Sequence, residues 1–172
     1  METETPWANR AELYIGLIKE AASRDMRQSN SPMNLWCYCI ERRAKIHNEI
    51  PRPLFQAQGR SSHVCTFGVQ GDISDICNFG WHEWVYYCDS GSFPENKEKL
   101  GRVLGPTVNE GNEMAQVVLV ASSKVIPRRT LRRLSIAELN SEVDKIKRSI
   151  FDDIILKKLG DSIRAPEKQY GT

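Results

Sequence analysis

The chain has 172 residues, with 24 Lys and Arg against 22 Asp and Glu and 40% apolar residues, which allows one domain or two very small ones and excludes a large multidomain enzyme. A formal net charge of +2 is too small to argue for a polyanionic partner, so any electrostatic case must come from local clustering. No apolar run reaches the ~18 residues of a membrane span, and the opening METETPWANR has neither the basic flank nor the apolar stretch of a signal peptide.

These features predict an intracellular protein, nuclear or cytoplasmic, with no membrane partner. Cys37, Cys39, Cys65, Cys77 and Cys88 are an odd number without regular spacing. They suit reduced, buried thiols better than a disulfide framework.

Ala11, Tyr14, Ile15, Ile18, Ala22 and Met26 recur at helical spacing and predict an amphipathic helix from Ala11 to Arg27. Ser31-Pro32 then offers an N-cap followed by proline, opening a second helix from Pro32 to His47 that buries Met33, Trp36, Ile40 and Ala44. Arg42, Arg43 and Lys45 lie toward its C-terminal end, where cations suit the helix dipole. Pro51 to Ser74 is punctuated by Pro51, Pro53, Gly59, Gly68 and Gly71 and reads as a linker or long loop.

The aromatic stretch Phe79 to Cys88 fits a strand, and Arg102 to Leu104, Ala115 to Ala121 and Lys124 to Ile126 fit three more. Short strands and tight turns in so few residues suggest a small barrel. Ser135-Ile136-Ala137-Glu138 is a capping-box signature. It opens a helix whose seam of Ile136, Leu139, Val143, Ile146, Ile150 and Ile154 runs to a stop at Gly160. That seam is too short for a dimerising coiled coil, so docking onto the barrel is its expected use.

Glu12, Gly16, Lys19 and Ser23 fall at steps of four, three and four, so on a helix they form one stripe beside the apolar face. A carboxylate and an ammonium two turns apart, with a glycine between them, leave room for a phosphate backbone along the helix; a plain solvated face is the simpler alternative. In KVIPRRTLRR, five of ten residues are basic, and no acid lies between Glu113 and Glu138. Arg128, Arg129, Arg132 and Arg133 can neutralise phosphates there without reading bases, or else pair with Glu138, Glu142 or Asp144 of the next helix.

Trp81, Trp84, Tyr86 and Tyr87 could stack bases or cage a methylated lysine, but a strand this aromatic more often fills a core. His82 with Cys77 and Cys88, and Cys37 and Cys39 with His47, lack the paired spacing of a zinc site.

The segment TPWANRAELYIGLIKEA resembles the end of the catalytic core of a copia-type retrotransposon integrase, where a Thr-Pro, an Asn and a Glu open the helix carrying the third carboxylate of an Asp, Asp, Glu triad. SPMNLWCYCIERRAKIHNEIP is similar to the helix that follows, with Leu35-Trp36 at its usual Phe-Trp pair and Asn48 near its end. GDISDICNFGWHEWVYY, LGRVLGP and GNEMAQVVLVASSKVIPRRTLRRL look like the region after the core, where a small barrel ends in a closing strand and a basic exit.

The resemblance implies an α+β chain. Residues 1–50 would be two helices from a truncated RNase H-like core, 51–78 a linker, 79–134 a small β-barrel, 135–160 a C-terminal helix and 161–172 a frayed tail. It makes Glu12 the catalytic and metal-binding acid, and Lys19, Arg128, Arg129, Arg132 and Arg133 the DNA contacts. Two Mg²⁺ ions serve the intact parent enzyme, clamping the attacking and leaving oxygens of an in-line phosphoryl transfer.

The family's two aspartates lie on strands upstream of this helix, and only five residues precede Pro6. One carboxylate cannot hold two ions, and Asp72 and Asp75 read as turn residues rather than replacements. The expectation is therefore an integrase fragment that contacts DNA but lacks strand-transfer activity and bound metal of its own. Helices built to pack on an absent sheet would leave Met33, Trp36 and Ile40 bare, a route to self-association. The alternative is a non-enzymatic small-barrel interaction module.

Overall fold

The computed structural model of the chain describes residues 6–51, 58–71, 73–88, 98–107 and 115–160, with side chains from residue 11 onward. The first helix, α1 (Pro6–Ser29), starts on a proline, whose missing N–H costs nothing in the first turn. Asn30, in the left-handed region at φ +52°, turns the chain. A 3-10 turn over Met33–Leu35 leads into α2 (Trp36–Glu49), which runs back along α1.

Ala22 and Met26 of α1 bury against Cys39 of α2, and the Arg43 guanidinium grips both carboxylate oxygens of Asp25. Tyr14 meets His47 edge-on at 5.5 Å between ring centres.

The buried face of α2 differs from the expected one. Leu35 and Cys39 are buried, whereas Met33 and Trp36 are each 54% exposed and Ile40 is half-buried. The 3-10 turn delays the helix and rotates its stripe. Leu35 then reaches the sheet, and Cys39 fits against the small side chain of Ala22. Where a loop was expected, two short helices occur, α3 (Ser62–Phe67) and α4 (Ser74–Cys77). Ser61 caps the first by accepting from Val64 N, and Gly68 closes it at φ +75°. All five thiols are free, but only Cys39 is buried, so the expectation of buried cysteines fails at the other four.

Among the described residues five antiparallel strands follow: β1 (Trp84–Cys88), β2 (Glu98–Pro106), β3 (Gln116–Val120), β4 (Val125–Arg128) and β5 (Leu131–Arg133), in the order β4-β3-β2-β1-β5. The ladder is open, because β4 and β5 are its two edges and do not pair with each other. A closed barrel is thus not what forms.

The sheet is nevertheless strongly curled. Two residues join β4 to β5, so the strand ends can be no more than about 11 Å apart. Across a flat sheet four strand spacings would separate them by about 19 Å. Residues 125–133 are in effect one extended run that hands over from β3 to β1, and the sequence reading missed its second half as a strand.

Curling gives the sheet two cores. Val85 and Tyr87, Val103, and Val118 and Val120 pack inside the curl with Ile126 and Leu131, so every strand contributes. Alternate residues face outward: Trp84, Leu100, Val117, Leu119 and Val125. Strand β2 carries a bulge between Val103, opposite Val118, and Gly105, opposite Val117. The extra residue, Leu104, turns outward into the second cluster, and Gly105 at φ +139° lets the Arg42 side chain of α2 lie across it.

The C-terminal segment is not one helix. Ser135 and Glu138 form the expected capping box on α5 (Ile136–Asn140), but Ser141 is extended and α6 (Glu142–Leu159) starts afresh. Asn140 and Ser141 are weak helix formers whose side chains compete for backbone groups. The break changes which face docks. Phe151 and Ile155 bury against the outer face of the sheet with Leu35, Leu104 and Leu119, while Ile136, Val143, Ile146 and Ile150 of the expected seam remain exposed. Arg102 fixes this docking by a two-pronged contact to Asp152 at 2.9 Å, lying 3.4 Å over the Trp84 ring. The predicted tail, 161–172, lies outside the described residues.

Gly101 marks the tightest point inside the curl. A Cβ there would sit 2.6 Å from Cγ1 of Val118 and 3.0 Å from the Leu119 carbonyl oxygen. Gly101→Ala is therefore expected to destabilise the fold by about 1–3 kcal/mol, read as a lower urea midpoint at unchanged slope; an unchanged midpoint would show that β2 and β3 are not packed this closely.

Candidate nucleic-acid interface

Glu12, Gly16 and Lys19 are all exposed on one side of α1, and Ser23 is half-buried further along the same stripe. Among the described residues nothing lies within 4 Å of where a Gly16 Cβ would be. Beside it Leu13, Ile15 and Leu17 are also exposed, at 59%, 52% and 46%. The front half of α1 therefore shows solvent both a polar and an apolar surface.

Among the described residues no three His, Cys, Asp or Glu side chains gather to hold a metal. Asp75 is held by Lys45 at 2.6 Å, and Asp72 lies outside the described residues. The donor set on view is one carboxylate, which does not fit a Mg²⁺ pair.

The basic segment is partly neutralised from within. Arg132 is clamped by Glu98 at 2.6 and 3.1 Å and by Glu138 at 2.9 and 3.0 Å, with its guanidinium 4.9 Å over the Tyr86 ring. That clamp, with help from Ser135, holds the Glu138 carboxyl down to about 2. Arg133 pairs with Glu83 at 3.1 Å, donates to the Asn78 carbonyl and lies over Phe79. Arg128 donates to the Pro127 carbonyl at 2.9 Å and lies 5.8 Å over Tyr87, and Arg129 is exposed at the corner where β4 passes to β5. Pairing with Glu138 was the sequence alternative for this segment, and Arg132 adopts it.

The rings of the aromatic strand pack rather than stand open. Tyr87 is buried inside the curl, Trp84 meets Phe151 edge-on at 5.2 Å, and the Trp81 indole N–H donates to Ser31 Oγ at 3.3 Å. The Tyr86 hydroxyl donates to Asp144 at 3.4 Å.

A cleft that the sequence did not reveal lies between the end of α1, the middle of α2, the 80–84 turn and β2, with a volume of about 760 Å³. His82 lines it from the left-handed region at φ +58°. Its ring is buried, and among the described residues neither nitrogen reaches a hydrogen-bond partner. Loss of solvent chiefly, and the Arg102 charge next, push its pKa down to about 3; the Ser29 backbone opposes this weakly from beyond bonding geometry. The cleft unites residues far apart in the chain, such as Asp25, Arg42, Arg102 and Arg133. No local spacing could have announced it.

A native imidazole that resists protonation makes the fold acid-sensitive. Below pH 6.5 the unfolded chain takes up a proton that the folded chain refuses until about pH 3, so stability falls with pH by up to about 1.4 kcal/mol per pH unit from this group. Between pH 6.5 and 4.5 the depressed carboxylates of Glu138 and Glu98 remain ionised in the folded state and His82 dominates. His82→Gln is expected to flatten the stability curve across that window, measured by urea unfolding at successive pH values; an equally steep slope would place the sensitivity elsewhere.

Comparison with protein-family models, with curated proteins and with solved structures finds no match to this chain.

Proposed function

We propose that the chain is the C-terminal portion of a copia-type retrotransposon integrase, a DNA-contacting module without strand-transfer activity of its own. The front half of α1 carries the reading: Leu13, Ile15 and Leu17 stand bare beside the exposed Glu12, Gly16 and Lys19 stripe. An amphipathic helix with apolar residues facing water is suited to covering another surface, and an RNase H-like core sheet is the surface that the resemblance supplies. Glu12 would then complete a metal site only with two acids from elsewhere. Beyond the helices, the reading assigns phosphate contact to Lys124, Arg128 and Arg129, in and beside β4; Arg132 and Arg133 are paired with Glu98, Glu138 and Glu83.

That internal balance favours a second reading, a non-enzymatic interaction module, and DNA titration separates the two. Binding of duplex DNA is expected to weaken steeply between low and physiological salt, and Arg128→Ala with Arg129→Ala to reduce the logarithmic salt slope by about 2. No binding at low salt would exclude the integrase reading in favour of the second.

Gly16→Ala adds an independent check. With open space around the site, alanine is expected to stabilise α1 by about 0.8–1 kcal/mol while weakening DNA binding, because its methyl group would stand where the backbone is meant to lie. Unchanged DNA affinity in this variant would remove α1 from the interface.

A further inference from the structure

We propose that Ser135 is a phosphoacceptor for protein kinases that read arginines, and that its phosphorylation releases α5 from β5. The inference does not rest on DNA contact, which the reading above assigns to Lys124, Arg128 and Arg129.

Arg132-Arg133-Leu134-Ser135 puts two guanidiniums three and two residues before a serine. Kinases of this class hold those guanidiniums with carboxylates of their own and take the substrate as an extended chain, so charge pattern and backbone shape select the serine together. The backbone already has that shape. β5 is an edge strand, and Ser135 beyond it is still extended at φ −69° and ψ 160°. Arg132, Arg133 and Ser135 are exposed, and Leu134 is the buried residue of the stretch. The structure also separates this serine from two rivals. Ser149 follows Lys147 and Arg148 but stands in the middle of α6, where an extended chain would require breaking a helix anchored by Phe151 and Ile155. Thr130 follows Arg128 and Arg129, but Pro127 stands three residues before it, where the kinase needs a cation.

What holds the segment closed is mostly polar and solvent-facing. The Ser135 hydroxyl accepts from Glu138 N at 3.3 Å and donates to Glu138 Oε2 at 2.9 Å, while Arg132 and Arg133 pair with Glu98, Glu138 and Glu83. Ion pairs this exposed contribute little. The five residues of α5 include none that is buried, so the segment opens locally without unfolding the sheet, and Leu134 is the apolar anchor that must lift. Transfer forms a bond between Ser135 Oγ and the γ-phosphorus of ATP, breaks the bond to the departing ADP, and passes the hydroxyl proton to the catalytic aspartate of the kinase. The product cannot regain the original geometry. Oγ, now an ester oxygen, has no proton for Glu138, and a group carrying about 1.5–2 negative charges stands beside a carboxylate that now lies 2.9 Å from Oγ. The capping box is lost, and the phosphate both repels Glu138 and competes with it for Arg132.

The test is incubation of the full chain with Mg²⁺, ATP and the catalytic subunit of cyclic-AMP-dependent protein kinase, followed by mass analysis of the intact chain and its fragments. One phosphoryl group per chain, located on Ser135 and lost in Ser135→Ala, is expected. Arg133→Gln should lower kcat/KM by about tenfold or more, the worth of one charge-assisted hydrogen bond to the kinase. In the phosphorylated chain, hydrogen exchange should quicken across residues 136–140 while β1, β2 and β3 keep their protection. A chain left unmodified at Ser135, or modified at Thr130 or Ser149 with Ser135 bare, would overturn the assignment. Phosphorylation of Ser135 that leaves exchange in α5 unchanged would overturn the release. The wild-type chain gives both results even if Arg133→Gln fails to fold.

Discussion

The structure depends on a short, curled sheet being buried on both faces at once. Five brief strands cannot enclose much apolar surface, and among the described residues the curl holds one layer of side chains, Val85, Tyr87, Val103, Val118 and Val120, with Phe79, Ile126 and Leu131 at its margin. The outer face must therefore be covered as well, and the 3-10 turn, α2 and α6 supply the cover through Leu35, Tyr38, Phe151 and Ile155. The bulge at Leu104 links the two layers: Val103 anchors the inner cluster, while the next residue reaches the outer one and Gly105 lets α2 approach. Helices and sheet thereby share apolar packing, and each stabilises the other.

The arginines follow from the same architecture. Elements crossing at the rim of a two-faced sheet bring cations next to aromatic rings and carboxylates, and several guanidiniums serve as struts: Arg102 between β2 and α6, Arg132 between β2 and α5, Arg43 between α2 and α1. A basic run in the sequence is for this reason a poor measure of the positive field left for a partner. Lys124, Arg128 and Arg129 lie along the strand that closes the curl, whereas Arg42 and Arg102 converge on a recess with His82.

Much of this fold was legible in sequence because its signals are local. The capping box at Ser135, the helix across Ala11 to Arg27 and the strand within Ala115 to Ala121 all depend on neighbours in the chain, and all form, although Ala11 and Ile15 of the predicted apolar face of α1 are exposed. What was not legible depends on distant partners. The face of α2 was misassigned because Met33, Trp36 and Ile40 have a good helical period, yet the available partners lie beside Leu35 and Cys39. The seam on α6 was misassigned for the same reason, since Phe151 and Ile155 fit the sheet and Val143, Ile146 and Ile150 do not face it. At the candidate site, the exposed stripe of Glu12 and Lys19 could be placed from spacing alone, but the commitment of Arg132 to Glu98 and the assembly around His82 are products of topology.

Coupling of the two layers through Leu104 is the central physical claim, and native-state hydrogen exchange on Leu104→Ala tests it most directly. Loss of that side chain is expected to cost about 2–5 kcal/mol, lowering protection together in β2, β3, α2 and α6 as one cooperative unit. Helical amides that lose protection while the strands keep theirs would contradict the account, and would mean that the curled sheet stands without its outer cover.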